Sequence, residues 1–150
     1  MKADSPGIYV PPPFIYVFFF IAGYLTRRWL PLTIPYHRPA GTVLVVLSLA
    51  LGAWGIATLW LAGTGIVPHK PASTLVDAGP FRYSRNPLYV SLTLLYIGIA
   101  LWIPAISALV VLPLVIAVIQ FAVIRREEAY LTRRFGSDYE EYRRRVRRWI

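Results

Sequence analysis

Two short stretches hold most of the side chains in this sequence that could do chemistry. The first, GPFRYSRNPLYVS at 79–91, crowds Arg82, Tyr83, Arg85, Asn86 and Tyr89 together with a glycine and two prolines. The second, RREEAYLTRRF at 125–135, sets Glu127 and Glu128 side by side behind two arginines. Guanidinium, amide, phenol and carboxylate groups bind charged ligands, and the phenol and carboxylate can also exchange protons with a reacting group. The chain has no cysteine, which excludes disulfides, thiolate metal sites and cysteine nucleophiles. Its two histidines, His37 and His69, lie far apart in loops, so no metal site is expected.

The elements that must position these stretches are strongly apolar. The chain has 150 residues, 57% hydrophobic and 15% charged, with a mean hydropathy of +0.54. An ordinary soluble domain carries more charge. Residues 41–62 and 86–124 contain no charged side chain. A helix needs about 20 such residues to cross a hydrocarbon core of roughly 30 Å. The second run is therefore long enough for two crossings, with the turn at 102–104 and Pro104 opening the later helix. Residues 8–25 are apolar as well, although Pro11 to Pro13 can open a helix but not lie inside one. Asp4 and the lack of a small-residue cleavage pattern favour a short first span over a signal peptide. The expected fold is all-α, an integral membrane bundle of about four transmembrane helices near 12–26, 41–62, 87–102 and 104–126. These form a single membrane domain over 1–150.

Four crossings leave both termini on one face. Lys2, Lys70, Arg82, Arg85 and every arginine from Arg125 onward share that face, against Arg27, Arg28 and Arg38 on the other. The bias places the termini and both polar stretches in the cytoplasm. The net charge of +9 then reflects topology and attraction to membrane lipids. Arginines crowded against membrane ends, with no separate basic domain, argue against a nucleic-acid partner. Small size and the absence of a targeting segment favour a prokaryotic cytoplasmic membrane.

Past the fourth apolar run the helix is expected to project for two or three turns and end at Gly136. Ser137 then reads as an N-cap with Glu140 as its capping-box partner. Tyr139, Tyr142, Val146 and Trp149 fall on one face of the helix that follows, with arginines over much of the rest. That pattern suits an interfacial amphipathic helix, aromatic side toward acyl chains. The alternative is a helix packed on the protein's own cytoplasmic face. Gly52, Gly55, Gly98 and Ala100 are expected to permit close helix packing.

The stretch at 79–91 has a purely structural reading. Gly79-Pro80 turns the chain, Tyr83 and Tyr89 form an aromatic belt, Arg82 and Arg85 snorkel, and Asn86-Pro87 caps and opens the third helix. A short turn makes the third and fourth helices antiparallel neighbours, so Arg85, Asn86 and Tyr89 must meet Glu127 and Glu128. A carboxylate at that depth needs a partner or solvent, so Glu127 is expected to face a polar cavity. Salt bridges from Glu127 or Glu128 to Arg82 or Arg85 are the competing explanation.

TLV-x-x-GPFRYSRNPLY, then an apolar hairpin, then EEAYLTRRFGSDYEEYRRRV, resembles the isoprenylcysteine carboxyl methyltransferase family and its phospholipid N-methyltransferase relatives. The resemblance covers about residues 66–149. It implies an integral membrane enzyme that methylates a small lipophilic acceptor with S-adenosylmethionine bound on the cytosolic side, at 66–89 and 123–149. Carried over by motif, Ser73, Thr74, Leu75 and Val76 correspond to a cofactor-contacting stretch. Phe81 stands where the family has an aromatic residue, usually Tyr. Asn86, Pro87, Leu88 and Tyr89 match its His-Pro-x-Tyr, and Glu127 matches a carboxylate on the cofactor. Arg85, Asn86, Tyr89 and Glu128 are the implied catalytic candidates. Three departures stand out: Asn86 and Ser73 replace histidines, Val123 replaces an arginine held to bind a substrate carboxyl, and the closing RVRRW lacks a common proline. Cofactor use survives these departures better than a prenylcysteine carboxylate acceptor does. Two other readings compete: a membrane reductase using NADPH, and a non-catalytic scaffold in which the two polar stretches form only an interfacial salt-bridge network.

Overall fold

The computed structural model describes residues 6–29, 37–64, 72–103 and 105–150. These residues form helices, turns and irregular segments, with no strand among them. Six α-helices follow one another: α1 Pro12–Leu25, α2 Arg38–Leu61, α3 Pro87–Trp102, α4 Ile106–Val118, α5 Arg125–Phe135 and α6 Ser137–Arg145. Short 3₁₀ turns at Thr26–Arg28 and Gly79–Arg82 close α1 and precede α3. A π-helical turn at Ile119–Ile124 joins α4 to α5, so that Ile106–Phe135 is one continuous helix. The roles read for Asp4, His69, Lys70 and Pro104 fall outside the described residues.

Two helices are long and apolar enough to cross a membrane, α2 and the continuous helix from Ile106. Only 11% and 28% of their most apolar windows are buried within the protein. The core helix of a soluble protein would hide most of that surface. Here Val43, Val46, Leu49 and Ile56 of α2 and Val110, Leu114 and Phe121 of the later helix all face outward. They form the belt of a membrane protein. The remaining two expected spans are shorter than a bilayer core: α1 extends about 21 Å and α3 about 24 Å at the usual helical rise. Prolines at the start of α1 and the turn after Trp102 limit them. The apolar part of the later helix ends at Ile124, and α5, with its arginines and glutamates, stands beyond it.

The helices pack in two pairs, α2 with α3 and α1 with α4, and α1 also touches α3. The α2–α3 seam is built from small residues. A Cβ added at Gly98 would lie 3.0 Å from the Gly41 carbonyl oxygen, at Gly52 2.8 Å from Ser91 Oγ, and at Gly55 2.7 Å from Leu88. Gly52, Gly55 and Gly98 therefore act as their sequence context implies, and Gly41 joins them. Between the pairs, Tyr96 donates to the Ala108 carbonyl at 2.8 Å, and Tyr16 reaches the Thr93 hydroxyl at 2.9 Å. Ala100, Ala105, Ala108, Val115 and Ile119 fill the core.

Two capping expectations are corrected. Asn86 makes no side-chain cap on α3, because its amide is spent elsewhere. Ser137 is the first residue of α6 and not its cap; Gly136, at φ 54°, ends α5 and its carbonyl receives the Glu140 N–H. The aromatic face of the last helix meets protein, as the alternative reading had it. Tyr139 and Tyr142 are 1% and 3% exposed and pack inward on the protein, and α6 stops at Arg145, leaving Val146 and Trp149 on an extended tail. The charged side, with Asp138, Glu140, Glu141 and the three arginines of the helix, faces out.

Replacing Gly98 with leucine should force α2 and α3 apart and cost about 1–3 kcal/mol or more. Thermal unfolding in detergent, followed by helical circular dichroism, is expected to show a clearly lowered Tm; an unchanged Tm would contradict the seam.

Candidate active site

At the end of the bundle where α3 begins and α5 leaves the apolar run, a partly open cavity of about 180 Å³ gathers residues from several segments. The 3₁₀ turn supplies Phe81 and the start of α3 supplies Arg85 to Tyr89. From α5 come Glu127, Glu128, Tyr130 and Leu131, and from α6 Tyr139 and Tyr142. Thr74, Leu75 and Val76 line it from the loop before the turn. Gly79 allows that loop to fold down: its φ is +56°, and any Cβ there would collide with the Thr58 hydroxyl.

The charges are arranged unequally. Glu128 is buried between two arginines. Arg148 grips it in a bidentate pair, Nε to Oε1 at 3.0 Å and Nη2 to Oε2 at 2.7 Å. Arg85 Nη1 stands 3.2 Å from the same Oε1. Arg85 is itself buried, and among the described residues its Nε and Nη1 have no hydrogen-bond partner. Its guanidinium lies beside the Tyr139 hydroxyl, which burial pushes up to about 12, so that Tyr139 stays a neutral phenol. Glu127 accepts from the Tyr89 hydroxyl at 2.8 Å. Burial pushes its carboxyl up to about 7, against the opposing effect of the Tyr89 hydrogen bond.

The π turn just before α5 decides which way these carboxylates point. One extra residue per turn rotates everything after it by about 100°. Glu127 and Glu128 are thereby aimed at the start of α3, while Arg125 stacks on Phe121 and Arg126 reaches the Gly7 carbonyl. Neither of those arginines lines the cavity, and Val123 is buried in the core.

The structure brings together Thr74, Leu75, Val76, Phe81, Arg85, Asn86, Pro87, Leu88, Tyr89, Glu127 and Glu128. Ser73 is left out: its hydroxyl donates to the Gly63 carbonyl at 2.9 Å, away from the cavity. Arg82 and Tyr83 are exposed, and Tyr83 leans on Trp54. The expected salt bridge forms between Arg85 and Glu128, not through Arg82. With both oxygens engaged, Glu128 is poorly placed to act as a base. Sequence reasoning missed Arg148, Tyr130, Tyr139 and Tyr142. The tyrosines carried a signal, since a buried aromatic face on a short polar helix can as well meet protein as lipid.

Fold and site together define an all-helical membrane protein with a charged cavity at one end of its apolar bundle. A family model described as phospholipid methyltransferase matches residues 36–138. The chain belongs to that family of membrane methyltransferases. It is 33% identical over 116 residues to the cobalt-zinc-cadmium resistance protein CzcN of Cupriavidus metallidurans, covering 74% of this chain and 52% of that one. It is 29% identical over 107 residues to the nickel-cobalt-cadmium resistance protein NccN of Alcaligenes xylosoxydans xylosoxydans, covering 71% and 49%. An uncharacterized protein of Haemophilus influenzae is 38% identical over 64 residues, 42% of this chain and the whole of that one. The chain thus spans about half the length of the two metal-resistance relatives. No solved structure matches it. Among the described residues no group of three or more His, Cys, Asp or Glu could hold a metal ion.

Glu128→Leu should leave two arginines facing an apolar side chain, with Arg85 buried and uncompensated. A loss of about 3–5 kcal/mol is expected, read as a fall in the denaturant midpoint; a loss below about 1 kcal/mol would mean the pair is solvated.

Proposed function

We propose that this protein transfers a methyl group from S-adenosylmethionine to a small lipophilic acceptor at the cytoplasmic end of its membrane bundle. The observation that carries the reading is the buried Arg85 guanidinium, which stands 3.2 Å from Glu128 yet has no hydrogen bond at Nε or Nη1 among the described residues, lining the same cavity as Glu127. Buried guanidinium donors without hydrogen bonds are costly unless an acceptor completes them. The amino-acid end of S-adenosylmethionine carries a carboxylate and an ammonium, which match a guanidinium and a carboxylate sharing one wall.

When bound, the cofactor supplies a methyl group on a sulfonium, which a nucleophile displaces in line. The work left to this chain is binding, orientation and exclusion of water. Arg85 would hold the carboxylate and Glu127 the ammonium or ribose. Phe81 offers an aromatic face to the adenine or the cation. Tyr89 fixes Glu127 through its hydrogen bond. Leu59, Leu75, Val76, Leu88 and Leu131 provide the apolar wall that suits a bilayer-borne acceptor. In this reading all four apolar segments lie in the membrane, α1 and α3 in part as short spans, with the termini cytoplasmic. The organisms of the relatives fit a bacterial cytoplasmic membrane.

Calorimetry of the detergent-purified protein with S-adenosylmethionine and with NADPH tests the cofactor. Saturable binding of the first is expected, weakened about tenfold or more by Glu127→Gln, which keeps the hydrogen bond from Tyr89 but loses the charge. Binding of NADPH instead would favour a reductase, and binding of neither would leave the scaffold.

The same experiment has a pH dependence. Glu127 holds its proton below about 7, so its carboxylate is available to a cation only as the pH rises through that value. Affinity should therefore increase from pH 6 to pH 7.5, up to the point near 8 where the ligand's own α-amino group deprotonates. Glu127→Gln should flatten that rise.

A further inference from the structure

We infer that Arg148 is a positioning residue whose grip on Glu128 keeps Arg85 free to receive the carboxylate of the bound ligand. The inference rests on the cofactor reading above and concerns a residue beyond the stretch matched by the family.

Glu128 has two cationic neighbours, and it holds them unequally. Arg148 takes both oxygens with aligned donors, at 3.0 and 2.7 Å. Arg85 is left with a 3.2 Å ion pair and two buried nitrogens lacking hydrogen bonds. A planar fork set on a carboxylate occupies its best lone pairs, so a second arginine beside it keeps its charge but not its partners.

Arg148 is held in place from several directions. The Arg147 carbonyl receives the Arg85 N–H at 2.9 Å, and the Arg148 carbonyl receives the Asn86 amide at 2.9 Å. One residue further on, the Trp149 indole donates to Gln120 at 2.9 Å. The extended tail after α6 is thus a strap laid across the start of α3 and pinned to the helix that carries Glu128. It gives Asn86 a structural task as well, since that amide ties the strap down.

Remove Arg148, and Glu128 loses its better partner. Arg85 is beside it with free donors and turns onto both oxygens, in competition with any ligand carboxylate. The site would keep its shape and lose its anion receptor. That outcome differs from simple unfolding and can be measured.

The experiment compares S-adenosylmethionine with its decarboxylated form by calorimetry, on the wild-type protein, Arg148→Met and the double variant Glu128→Gln/Arg148→Met. Arg148→Met is expected to weaken S-adenosylmethionine about tenfold or more and to change the decarboxylated ligand by less than about threefold. The double variant removes the competitor for Arg85 and should recover most of the lost affinity. Equal weakening of both ligands, or no recovery in the double variant, overturns the inference and leaves Arg148 a structural clamp. If Arg148→Met does not fold, the double variant alone decides: it should still prefer the carboxylated ligand. Failure of the wild-type protein to bind either ligand overturns the cofactor reading itself, and the inference with it.

Discussion

Glu128 sits buried where a long apolar helix becomes polar, and its charge must be matched there. A carboxylate in that position costs several kcal/mol unless donors surround it. The donors come from opposite ends of the polar sequence, Arg85 ahead of α3 and Arg148 in the final residues. Pairing them draws the tail back over the start of α3 and seats α6 against the cavity. The Tyr142 hydroxyl, donating to the Phe81 carbonyl at 2.8 Å, closes the same layer. Much of this polar end of the bundle is thus organised around one buried negative charge.

The apolar bundle beneath determines where that charge can be. Small residues let α2 and α3 approach closely, which sets Leu88, a lining residue of the cavity, against Gly55. The pairing of α1 with α4 then brings Tyr16 to the Tyr89 carbonyl at 3.3 Å. Above Ile124 the π turn redirects the helix so that both glutamates face inward. Such turns widen the helix and leave weaker backbone bonding, a cost that is commonly tolerated where a side chain must be aimed.

In the proposed reading, the resemblance to the prenylcysteine enzymes is kept on the cofactor side of the site and lost on the acceptor side. Arg85, Tyr89 and Glu127 share one wall, whereas the position of the acceptor-binding arginine is Val123, packed in the core. Asn86 cannot titrate near neutrality as a histidine would, but its amide can do what a histidine in that place need not, tying down the tail. Ser73 bonds to the end of α2 and so anchors the loop that carries Thr74 to Val76.

Residue order alone determined the apolar helices, the break at Gly136, the small-residue seam and the meeting of Arg85 and Tyr89 with Glu127 and Glu128. These follow from short-range physics: proline and glycine restrict the backbone locally, and a short connection makes its two helices neighbours. Only the tertiary structure decided which of many arginines would hold Glu128, because in the sequence Arg148 looks no different from Arg144 or Arg147. Only it decided that Tyr139 and Tyr142 turn toward protein and not lipid, since an amphipathic face specifies something apolar to meet and not what that is. It also supplied the means by which Glu127 is aimed, a π turn at Ile119–Ile124 that leaves no mark in hydrophobic periodicity. Partner choice over long separations depends on where the backbone arrives, and that is settled by packing the whole chain at once.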